Sequence, residues 1–88
     1  MALRIRLTDD FRKHFAKLNE KERARTRKTL NLLVLNPLYH ALRTKKVKGK
    51  NGIFECSVNM DIRILWRYEG DAMIIALDIG HHDILRKV

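Results

Sequence analysis

The chain has one cysteine, Cys56, so no disulfide can form within it, and a reducing compartment is expected. Carboxylates are scarce: ten Asp and Glu stand against nineteen Lys and Arg, for a formal net charge of +9. Such a surface draws a polyanion or an acidic protein, and nucleic acid is the usual polyanion. Long hydrophobic runs are missing. The longest, Leu32–Leu35 and Ala72–Leu77, are far too short to span a bilayer. The opening MALRIRLTDDF holds no apolar core of a secretory signal, so a cytoplasmic protein is expected. Linkers, repeats and low-complexity tracts are also absent. Residues 1–88 therefore read as one small domain, with 45% hydrophobic and 33% charged residues supporting a globular chain.

What is present is periodic. Leu3, Ile5 and Leu7 alternate with Arg4 and Arg6, as in a half-buried strand with a basic outer face. Thr8 reads as an N-cap, with Asp9 and Asp10 in the first turn of a helix carrying Phe11, Phe15 and Leu18 on one face. Asn19 and Glu22 form a capping-box pattern for a second helix over Glu20–Leu35, which Asn36-Pro37 ends. Its expected inner face is Ala24, Leu30, Leu33 and Val34. Its expected outer face is Lys21, Arg23, Arg25, Arg27 and Lys28. The segment 38–50 is lysine-rich and reads as a loop or a phosphate-contacting rim.

Three period-two runs close the chain. Phe54, Cys56 and Val58 form the first. Ile62, Ile64, Trp66 and Tyr68 form the second. Met73, Ile75, Leu77 and Ile79 form the third, beyond a Glu69-Gly70-Asp71 turn. The expected fold is α+β, in the order β-α-α-β-β-β, with a helical hairpin on one face of an antiparallel sheet. Alternation then puts Glu55, Ser57, Arg63 and Arg67 together on the exposed face. Cys56 and Trp66 fall on the core side. His81, His82 and Asp83 do not suit a metal, because adjacent histidines in extended chain point to opposite faces and no second ligand cluster exists. No cofactor is implied. His14 and His40 read as helix-surface and loop residues.

The order Lys48-Gly49, then Arg63-Ile64-Leu65-Trp66, then Ile79-Gly80-His81 resembles the RelE/ParE superfamily of toxins from type II toxin–antitoxin pairs. The resemblance covers almost the whole chain. It implies one of two activities. RelE-like members are ribosome-dependent mRNA endonucleases; ParE-like members poison DNA gyrase without nuclease chemistry. In the nuclease branch the middle-strand arginine contacts the scissile phosphate, and Arg63 matches it. The position two residues after the terminal-strand glycine carries a catalytic arginine or histidine, and His82 matches it. Glu55 falls in the strand that often supplies a further catalytic group. Many members carry a tyrosine shortly after this motif, where this chain has Ile84 and Leu85. Under this reading His82 is general acid or base, Arg63 clamps the phosphate and Glu55 is a partner base. Lys46, Lys48, Lys50 and Arg67 hold the RNA backbone. Cleavage through the RNA's own 2′-hydroxyl requires no metal, and histidine and arginine suit proton transfer and phosphate binding. The implied partners are an acidic antitoxin and mRNA on the ribosome. The alternative is a non-enzymatic, ParE-like gyrase inhibitor or an inactive relative.

Overall fold

A computed structural model describes residues 3–81. In chain order the elements are β1 (Arg4–Leu7), α1 (Asp9–Ala16), α2 (Glu20–Leu35), a 3-10 turn (His40–Leu42), β2 (Lys45–Lys46), β3 (Phe54–Ser57), β4 (Ile62–Glu69) and β5 (Met73–His81). Both helices start where local chemistry dictates. The Thr8 hydroxyl accepts from the Phe11 N–H, and Asn19 and Glu22 complete a reciprocal capping box. None of the described helices is long and apolar enough to cross a membrane.

The five strands form one sheet in the order β1-β5-β4-β3-β2. The sheet is mostly antiparallel, as expected, but β1 runs parallel to β5. The helix pair carries the chain from β1 to the opposite edge of the sheet at β2, and the β3-β4-β5 meander walks back until β5 lies alongside β1; a long intervening connection is what a parallel pair requires. The short strand β2 is a further addition. It pairs Lys45 with Glu55 and Lys46 with Phe54.

The core lies between sheet and helices and joins Phe11, Leu33, Leu42, Cys56, Ile62, Ile64, Trp66, Ile74, Ala76 and Ile79. Two expectations change here. In α2 the buried residues are Thr26, Thr29 and Leu33, while Ala24 is exposed. The threonines can be buried because their hydroxyls donate to the carbonyls of Glu22 and Arg25, one turn back. In β5 strict alternation fails. An irregularity opposite Leu65/Trp66 moves the pairing from Asp78 to Ala76 and leaves Leu77 without a partner on β4. Ile79 therefore shares the core with Ile74 and Ala76, and Leu77 packs with Val47 and Leu65 in a smaller cluster.

Candidate anion-binding site

The site begins with a turn. The Asn59 side-chain oxygen accepts from the N–H groups of Asp61 and Ile62, both at 2.8 Å, and folds the β3–β4 connection back on itself. Arg63 caps that turn. Its Nη1 donates to the carbonyls of Asn59 (2.7 Å), Met60 (3.1 Å) and Ile62 (3.2 Å). These bonds use one nitrogen; Nη2 and Nε make no hydrogen bond among the described residues.

Two more arginines converge on the same place. Arg25, on α2, donates from Nε to the carbonyl of Val58, just past the end of β3, at 2.8 Å. Arg43 follows the 3-10 turn with φ at +52°, a left-handed conformation that costs a residue with a Cβ. Together with Ser57, Asn59 and Met60, the three arginines line a cavity of about 410 Å³. Among the described residues no carboxylate lines it. Three guanidinium groups around one polar opening, those of Arg25 and Arg63 held by backbone carbonyls, can take an anion bidentately, as suits a phosphate.

The expected site residues are distributed as follows. Arg63 and Ser57 are strand partners on one face, next to the Glu55–Leu65 pair. Glu55 shares that face but is not exposed. It is 2% exposed, and its carboxylate lies 3.2 Å from Lys45 Nζ. On its face it is flanked by Lys45 of β2 and Leu65 of β4. Lys46 lies opposite Phe54, on the other face of the sheet from Arg63. Lys48 and Lys50 are exposed on the β2–β3 turn, beside a second cavity of about 620 Å³. Gly49 and Gly52 shape that turn with φ at +80° and +74°. Arg67 pairs with Glu69 at 3.1 Å near the far end of β4. His82, Asp83, Ile84 and Leu85 lie outside the described residues. His81, the last described residue, is exposed and pairs with Ile62.

Arg25 and Arg43 escaped sequence reasoning. Arg25 reads as one of five basic residues on an outer helical face, and nothing marks its reach to Val58. Arg43 lies in a stretch without periodicity. Other side chains take structural places. His14 is bound to Asp78 at 2.5 Å, and the His40 ring lies tilted against that of Tyr39. Cys56 is fully buried, and burial, reinforced by the charge of Glu55, pushes its thiol up to about 12. A thiol so protonated is no nucleophile at neutral pH.

No protein-family model matches the sequence, and no curated protein matches it. Solved structures do match. The archaeal RelE–RelB complex from Pyrococcus horikoshii aligns with a TM-score of 0.77 at 16% identity, covering 92% of this chain and 96% of that one. The DinJ–YafQ complex of E. coli aligns at 0.74 and 19% identity, covering 97% and 98%. A YoeB/ParE toxin from Agrobacterium tumefaciens aligns at 0.79 and 10% identity, covering 91% and 99%. Across essentially its whole described length, this chain has the fold of the RelE/ParE superfamily.

Proposed function

We propose that this protein is the toxin of a type II toxin–antitoxin pair and that it cleaves mRNA in the translating ribosome. The observation carrying the reading is the cavity lined by Arg25, Arg43 and Arg63, with no carboxylate among its described lining residues, on a fold shared with RelE and YafQ. In this mechanism the scissile phosphate enters the cavity. The free side of the Arg63 guanidinium binds its non-bridging oxygens, and Arg25 and Arg43 steady the charge that builds as the 2′-hydroxyl attacks phosphorus. His82 performs the proton transfer that the departing 5′-oxygen or the attacking hydroxyl needs. Lys48, Lys50 and Arg67, with Lys46 on the other face, carry the RNA backbone towards the site. Glu55, buried beneath Lys45, is assigned to shaping the site rather than to taking the proton. The net charge of +9 favours an acidic antitoxin that covers the cavity and blocks the phosphate.

The test is mRNA cleavage by the purified protein on translating ribosomes, mapped by primer extension, with Arg63→Ala and His82→Ala alongside. Discrete cuts by the parent, lost in both folded variants, are expected. Folded parent protein that makes no cuts would overturn the nuclease reading. The second reading, gyrase inhibition, is favoured by the likeness to a YoeB/ParE toxin. It predicts instead loss of DNA supercoiling with translation intact.

A further inference from the structure

Among the described residues Glu55 is the only buried charged side chain. Its burial is poorly compensated. One carboxylate oxygen meets Lys45 Nζ at 3.2 Å, and the other, Oε2, has no hydrogen-bond partner among the described residues. Taking a carboxylate out of water with half its lone pairs unmet opposes folding. Lys45 stands in the opposite condition, with its side chain 70% exposed. The pair therefore gives little to the core. What it secures is the position of one lysine at the surface, where a free ammonium would wander among rotamers.

The register says where that lysine is held. Lys45, Glu55 and Leu65 form one row across β2, β3 and β4. Ser57 and Arg63 form another row on the same face, two residues along, about 7 Å away at the usual rise of a strand. Lys45 and Arg63 thus lie two residues apart along the strands and two strands apart across the sheet, a spacing that suits a polyanionic chain better than a single free anion. We infer that Lys45 contacts the RNA backbone beside the phosphate held at the arginine cavity, and that Glu55 is the positioning residue that fixes it there. This rests on the RNA-cleaving reading and adds to it a residue that the lysine-rich sequence hides, since Lys46 takes the other face.

The experiment reads binding of a fluorescein-labelled, 2′-O-methyl single-stranded RNA by anisotropy across a salt series. Lys45→Ala alone would leave Glu55 buried without its cation and fold poorly. The contact is therefore removed in a relieved background, Glu55→Met, whose unbranched side chain fills the same slot. Glu55→Met is expected to unfold at the parent's denaturant concentration or higher. It should bind RNA several-fold more weakly with the parent's salt slope, because Lys45 keeps its charge but loses its support. Lys45→Ala/Glu55→Met is expected to weaken binding about tenfold and to lower the slope of log K against log salt by about 0.7, the signature of one lost phosphate contact on a single strand. Parent affinity and slope in the folded double variant would overturn the inference and leave the nuclease reading standing. A parent that does not bind RNA would overturn the inference too, while cleavage on ribosomes decides the nuclease reading separately.

Discussion

The two faces of the β3–β4 ribbon are made by the same residues taken alternately, and they have opposite characters. Facing the helices are Phe54, Cys56, Ile64 and Trp66, all packed into the main core, with the Phe54 and Trp66 rings stacked at 4.8 Å. Facing away are Glu55, Ser57, Arg63 and Leu65, and apolar packing there is confined to a small cluster around Val47 and Leu65. A strand's period of two allows this division. One face supplies cohesion, so the other can afford unmatched charge. If the division is real, substitutions on one face should cost stability and substitutions on the other should cost function.

The largest effect belongs to the helix-side face. Trp66 is fully buried. Trp66→Ala should cost about 3–5 kcal/mol, a large share of what so small a domain can hold. Urea unfolding followed by circular dichroism measures it. Trp66→Phe should cost far less, because the indole N–H has no partner to lose among the described residues. A mild Trp66→Ala would mean that cohesion does not reside on this face.

Arg63→Ala tests the opposite face. It removes bonds to three turn carbonyls, so about 1 kcal/mol of stability should go. Cleavage on the ribosome should fall about a hundredfold or more, the usual effect of losing one donor to a developing oxyanion. Arg63→Lys should not restore it, since an ammonium cannot cap the turn and present a planar fork together. Equal losses of stability and cleavage would erase the distinction between the faces.

How much of this was legible depended on whether the signal was local. The N-caps Thr8 and Asn19 and the span of α2 were legible, because a cap is decided by residues three apart. So were the three strands of the meander. The pairing of β1 with β5 is a contact between the two ends of the described chain and leaves no local trace. Strand β2 is two lysines, whose pairing is written in Glu55 and Phe54 rather than in itself. The shift in β5 was hidden because Met73–Ile79 is apolar at nearly every position, so alternation cannot reveal an inserted residue. At the site, the place of Arg63 beside Ser57 on the outer face was legible from strand alternation. Arg25 was not, since its bond to Val58 spans 33 residues.

Cys56 sharpens the comparison through pH. Its thiol rises from an ordinary value of 9.0 to about 12 on folding, first through burial and then through Glu55. Folding therefore favours the protonated thiol. Its contribution is complete below pH 9 and is lost as pH rises towards 12, because the unfolded chain releases the proton first. The loss should be about 1.4 kcal/mol per pH unit across that window. Denaturant midpoints of the parent and Cys56→Ala, measured from pH 8 upwards, should converge. The parallel test at neutral pH is alkylation by iodoacetamide, which should be negligible until the protein is unfolded.

The smallest effect should also have the most telling signs. Arg43 lines the anion cavity while holding φ at +52°, where its Cβ crowds the backbone. Glycine removes that strain but loosens the unfolded chain, so Arg43→Gly should gain about 0.5–1 kcal/mol at most. Asparagine tolerates the same backbone and, like glycine, brings no charge. Both substitutions should leave the fold as stable as the parent or more so, and both should weaken cleavage about tenfold, the share of one cation among three. A residue kept only for structure would show both properties moving together. Stability rising while cleavage falls would mean that Arg43 holds an unfavourable backbone for the sake of its guanidinium, as Glu55 holds an unfavourable burial for the sake of Lys45.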